Sequence, residues 1–220
     1  MNTDFFLDED LYTIALWCRA GAEPTDLAYA AECAIEHELD VISVVPEAVS
    51  ILWPWLETEP VKILARFYLD DFIDSDSMSE FTANVNTVLK QGADGIQVFI
   101  RYKDLETFVE QIYSIRDDLF FNKELFIGID INDINPFDWE NVLEALNKIH
   151  ATGLILVLPK DKGDKSDYVG RLYAALEAWK NDFNLYFFLG DNLLRIEQTK
   201  RLIKSMQPNL LDRVKFFINV

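Results

Sequence analysis

Leu125-Phe-Ile-Gly-Ile-Asp-Ile131, then Asp138–His150, then Gly153-Leu-Ile-Leu-Val-Leu158 is the stretch that decides the fold. Both outer runs are apolar at almost every position, so they do not alternate as a strand with one wet face would. They read as strands covered on both faces. Between them Trp139, Val142, Leu143 and Leu146 recur at helical spacing and share one face. A buried strand, an amphipathic helix and a second buried strand make a parallel pair joined by a crossover.

The same unit repeats outward in both directions. Upstream, strands are predicted at Leu11–Cys18, Val41–Val45, Val61–Leu69 and Ile96–Ile100. The helices between them are Pro24–Leu39, a short Glu47–Leu56 interrupted at Pro54, and one opened by a capping box at Ser77-Met-Ser-Glu80 and closed by Gly92. Leu105–Leu119 is a helix leading into the quoted stretch. Downstream come helix Tyr168–Lys180, strand Leu185–Leu189, helix Ile196–Met206 and strand Val214–Val220. Eight strands and seven helices within residues 1–220 form a single β/α domain of α/β class. The expected architecture is a (β/α)8 TIM-type barrel lacking the final helix, with a doubly wound open sheet as the alternative.

Composition narrows the function. Half the residues are hydrophobic, with 16 Phe, 8 Tyr and 5 Trp, so an aromatic-rich core is expected. Thirty-eight acids against 20 bases give a net charge of −18, which repels nucleic acid and anionic membranes. The longest apolar runs are too short to span a bilayer. The acidic N-terminus is unlike a signal peptide, so a cytoplasmic protein is expected. Cys18 and Cys33 lie in different elements and are expected to be free thiols. His37 and His150 both fall at helix ends, which argues against a His-based triad or zinc site. No metal and no cofactor are expected.

A barrel without its last helix leaves the outer faces of strands one and eight uncovered. A homodimer over this seam is one expectation, and the N-terminal Asp4-Phe-Phe-Leu7 folding back as a cover is the other.

Barrel chemistry sits at the C-terminal ends of the strands. That rule selects Arg66 and Tyr68 on strand three, Gln97 and Arg101 on strand four, Asp130 on strand five, Lys160 after strand six, and Asp191 and Asn192 after strand seven. Asp130 follows an apolar run and is the best acid or base, since partial burial would raise its pKa. Arg66 and Arg101 are candidate clamps for an anionic small molecule, or partners of Asp130 in a structural ion pair. Asp70, Asp71, Asp74 and Asp76 form an acidic loop that reads as solvated, with a divalent cation as the alternative. Gly190-Asp191-Asn192 has one glycine and an acid, so no standard phosphate turn is expected there.

Three stretches carry a family resemblance. Ala31-Glu-Cys-Ala-Ile-Glu-His-Glu-Leu-Asp-Val-Ile-Ser-Val-Val-Pro46, Val61-Lys-Ile-Leu-Ala65 and Gly92-Ala-Asp-Gly-Ile-Gln-Val98 resemble the deoxyribose-phosphate aldolase family of class I aldolase barrels. The resemblance implies a Schiff-base lysine on strand six, but this chain has an apolar residue there, read as Leu156. It implies a proton-relay aspartate on strand four, where Gln97 stands, and a second lysine within Tyr186-Phe-Phe188. Of the implied set, only the strand-five carboxylate is matched, by Asp130; Lys160 lies past the strand end.

The reading is a divergent aldolase-like barrel without Schiff-base activity, acting as a binding or scaffold protein. The alternatives are a small-metabolite lyase or hydrolase using Asp130 with Arg66 and Arg101, and a metal-assisted enzyme using Asp70, Asp130 and Asp133. A mouth plugged by Trp17, Tyr68 and Phe99 would favour the first, and a deep polar pocket the second.

Overall fold

The parity of the strands organises the molecule. In β5 (Glu124–Asp130), Leu125, Ile127 and Ile129 belong to one buried cluster, shared with the helices, while Phe126 belongs to another. Side chains alternate between the faces of a strand, so Phe126, Gly128 and Asp130 share the face opposite the helices. The same parity holds round the sheet. A computed structural model describes residues 13–69, 75–158, 165–180, 182–190 and 192–220. It closes β1 (Ile14–Trp17), β2 (Val41–Val44), β3 (Lys62–Leu69), β4 (Gly95–Ile100), β5, β6 (Gly153–Val157), β7 (Asn184–Phe188) and β8 (Val214–Asn219) into a parallel barrel in chain order. The open sheet is thereby excluded, because β1 pairs with β8 from Ile14↔Phe216 to Trp17↔Asn219.

The helices are α1 (Pro24–Glu36), α2 (Val49–Leu56), α3 (Ser75–Lys90), α4 (Leu105–Tyr113), α5 (Arg116–Leu119), α6 (Trp139–Lys148), α7 (Lys165–Ala178) and α8 (Leu193–Met206), the last lying between β7 and β8. Several differ from expectation, with α7 and α8 each beginning three residues earlier. The Leu105–Leu119 helix breaks into α4 and α5. The capping box at Ser77 falls inside α3, which begins two residues earlier. Pro54 does not interrupt α2, which runs on to Leu56; a proline removes one backbone donor without obliging the helix to stop there. Gly92 does follow the end of α3, at φ +110°, a conformation that only glycine adopts easily.

The seam between β1 and β8 is not bare. Ile14, Leu16, Phe216 and Ile218 point outward there, and each is 2% exposed or less within the single chain. Lys200 of α8 lies 6.0 Å from the Phe216 ring centre, over its face. The seam therefore offers no exposed apolar strip among the described residues. Asp4–Leu7 lies outside the described residues.

At the N-terminal end of the barrel two ion pairs close the lumen. Lys62 meets Glu124 at 2.6 Å and Lys215 meets Asp40 at 2.8 Å. Lys215 is 12% exposed and Asp40 52%, so the pair joins a largely buried ammonium to a carboxylate at the rim. No described helix is long and apolar enough to cross a membrane.

Candidate functional site

Above those ion pairs the lumen is filled with aromatic rings. Tyr186 stacks on Phe126 at 4.6 Å and meets Phe217 edge-on at 5.6 Å. Towards the mouth, Trp17 stacks on Phe188 at 4.3 Å, and the Arg66 guanidinium carbon lies 3.9 Å from the Trp17 ring centre. Arg66 stands on β3 and Phe188 on β7, two strands to either side of β1, so they approach the indole from opposite sides and sandwich it between a cation and a phenyl ring. Phe99 and Phe217 meet the same indole edge-on at 5.6 and 5.3 Å. Tyr68 stacks on Phe99 at 5.1 Å and is half exposed. Trp17, Tyr68 and Phe99 plug the mouth, and Phe188 and Phe217 complete the plug. Each aromatic pair contributes about 0.5–1.5 kcal/mol beyond its area, and a desolvated cation–π contact about 2 kcal/mol.

Arg66 is 2% exposed. It donates to the Ser43 carbonyl at 2.9 Å, to Ser43 Oγ at 3.1 Å and to the Cys18 carbonyl. Burial pushes its guanidinium down to about 10, opposed in part by a hydrogen bond to Tyr68. It stays charged at neutral pH, and no described carboxylate pairs with it. Ser43 Oγ in turn donates to Gln97 Oε1 at 2.5 Å. Arg66, Ser43 and Gln97 thus form one hydrogen-bonded line across β3, β2 and β4. Arg66 Nε and Gln97 Nε2 remain without a partner among the described residues. A carboxamide at the end of such a line can orient a neighbour but cannot carry a titrating proton.

The other candidates are held by their own loops. Asp130 accepts from Asn132 N at 2.8 Å and Asn132 Nδ2 at 3.0 Å, capping the short turn Ile131–Asp133. Burial raises the Asp133 carboxyl, and the charge of Asp130 raises it further. Arg101 pairs with Asp104, one turn on, at 2.7 Å. Asn192 caps α8 by accepting from Arg195 N at 3.1 Å. Lys160, Asp191 and the acidic loop from Asp70 to Asp74 lie outside the described residues. Arg66, Tyr68 and Gln97 therefore converge, whereas Asn192 serves the end of its own helix.

The strand-six reading needs correction. Leu156 faces the helices, and Ile155 and Val157 are the lumen positions. On β7 the lumen positions are Tyr186 and Phe188. The sequence reading missed Ser43, which lies on the lumen face of β2 opposite Leu64, one lumen position below Arg66 on β3. Cys18 and Cys33 are free and buried, and burial raises both thiols, to about 12 and about 11. Among the described residues no cluster of three His, Cys, Asp or Glu could hold a metal ion.

No family model matches the sequence, and no curated protein matches it. Solved structures do match its fold. A putative deoxyribose-phosphate aldolase from Toxoplasma gondii aligns with a TM-score of 0.70 at 15% identity, over 98% of this chain and 90% of that one. The tetrameric deoxyribose phosphate aldolase from Aeropyrum pernix gives 0.70 at 11%, over 99% and 93%. A putative copper homeostasis protein, CutC, from Streptococcus agalactiae gives 0.65 at 9%, over 94% and 98%. The barrel is thus of the kind the resemblance implied. At these identities the likeness carries the fold and no residue's role.

Proposed function

We propose that this aldolase-like barrel does not work by Schiff-base chemistry and acts as a binding or scaffold protein. One observation carries the reading: the lumen at the strand ends is occupied by the Arg66–Trp17–Phe188 sandwich and its edge-on neighbours. A Schiff base needs an amine in that space with a lowered pKa, and strands six and seven offer Ile155, Val157, Tyr186 and Phe188 instead. The acid–base alternative is also poorly supplied. Asp130 is engaged in its turn, Arg66 in the stack and Arg101 with Asp104.

The test is a brief incubation with acetaldehyde, then borohydride, followed by peptide mass mapping. No stoichiometric adduct is expected. A single lysine trapped in proportion to protein, Lys160 included, would overturn the reading.

A further inference from the structure

The outer wall over α1 and α2 combines charge of one sign with exposed apolar side chains. Between Arg19 and Lys62 the sequence has nine acids and not one lysine or arginine. Both helices of this stretch lack a basic residue in their last turn. Instead Glu36 ends α1 and Glu38 follows it, while Glu57 and Glu59 follow α2. Acids at helix C-termini oppose the helix dipole, and cations belong there. Glu32, Glu36, Glu57 and Glu59 are exposed and form no ion pair among the described residues.

An apolar strip runs between these acids. On α1, Leu27, Ala31 and Ala34 face the barrel. Tyr29 and Asp26 line a cleft with Asn219 and Val220, so that flank faces β8. The opposite flank, Ala28, Glu32 and Ile35, faces α2. On α2, Val49, Leu52 and Leu56 are buried, and Trp53 lies against Gly92 on the α3 side. Ile51 and Trp55 therefore take the α1 side. Ile35 is 42% exposed, Ile51 41% and Trp55 52%. A half-exposed tryptophan beside two half-exposed isoleucines is a surface of the kind that partners cover.

We infer that the outer face shared by α1 and α2 is a docking surface for a basic amphipathic segment of another protein. The apolar strip fits one face of a helix, with anchors spaced as i, i+3 and i+4. The unpaired carboxylates on its rim fit lysines and arginines on the flanks. A second copy of this chain fits less well, because it would bring the same acids against themselves. The face is on the outside of the barrel, so its test stands apart from the aldehyde-trapping test of the lumen.

The probe is a fluorescein-labelled helical peptide repeating Leu-Lys-Lys-Leu-Leu-Lys-Leu, followed by anisotropy. Its control is a scramble of the same composition with no apolar face. The patterned peptide is expected to bind at least about tenfold more tightly than the scramble. Ile51→Ser with Trp55→Ser should weaken it about tenfold or more, and Glu32→Gln with Glu36→Gln severalfold. Glu106→Gln with Glu110→Gln, the same charge change on α4, should leave binding unchanged. Far-ultraviolet circular dichroism confirms that each variant is folded. The inference is overturned if the patterned peptide does not bind, if the scramble binds equally, or if the α4 variant matches the α1 variant. Sedimentation showing a dimer that Trp55→Ser dissolves would also overturn it, in favour of self-association.

Discussion

Gly128→Ala decides in one substitution whether the barrel mouth is filled. Gly128 faces the lumen on β5, and a Cβ there would fall 2.3 and 2.4 Å from two ring carbons of Phe99. Unstrained carbons sit about 3.5–4.0 Å apart, so the ring must retreat by roughly 1 Å or more. Phe99 is 8% exposed, with Trp17 edge-on at 5.6 Å and Tyr68 stacked at 5.1 Å. Overpacking of this kind costs about 1–3 kcal/mol. Replacing a strand glycine by alanine returns about 0.5–1 kcal/mol through the unfolded chain. The net loss lies between about 0 and 2.5 kcal/mol, centred near 1, and for a chain of this size Tm falls by up to about 10 °C. Differential scanning calorimetry reads it. Adding Phe99→Ala should remove the clash, giving a favourable coupling of about 1 kcal/mol or more in a double-mutant cycle. An open mouth reverses the sign: Gly128→Ala then stabilises, and the cycle shows no coupling. That result would refute the packed-mouth account.

Three further outcomes follow from the same structure. Leu156→Lys puts an unpaired ammonium among the helices and should cost about 3 kcal/mol or more in urea denaturation, whereas Val157→Lys, at the half-buried mouth, should cost far less; equal costs would contradict the strand-six parity. At pH 8 neither Cys18 nor Cys33 should react quickly with a thiol reagent in the native protein, since burial raises both thiols well above that pH, and both should react in guanidinium. Because the folded Asp133 carboxyl is raised, its ionised form weakens the fold above its folded pKa, so Asp133→Asn should stabilise at pH 7 and the gain should vanish as pH falls below 3.8 and the native carboxyl takes up its proton; a loss of stability at pH 7 would contradict that sign.

The fold was legible because eight apolar runs and their intervening helices repeat one pattern, and hydrophobic periodicity is a local signal. Places where local rules failed have local causes. The Leu105–Leu119 pattern keeps one apolar helical face to its end, through Leu105, Phe108, Val109, Ile112, Ile115 and Leu119, yet the chain turns at Ser114, which no glycine or proline marks. The site was legible in part. Counting from the strand ends found Arg66, Tyr68 and Gln97, and the plug residues Trp17 and Phe99. It did not find Phe188, which meets Trp17 across the closed lumen, or Ser43, whose reach to Arg66 depends on the register between β2 and β3. Leu156 was misplaced because an all-apolar strand carries no alternation to show which residues face inward.

The central claim is that the strand-end lumen is closed by its own side chains, with no amine among the described residues lining it. A crystal structure of the protein tests it most directly. The account predicts the Trp17 indole lying between the Arg66 guanidinium and the Phe188 ring, with Phe99 and Phe217 at its edges. A solvent-filled cavity reaching Gln97, or a lysine amine placed within it, would contradict it.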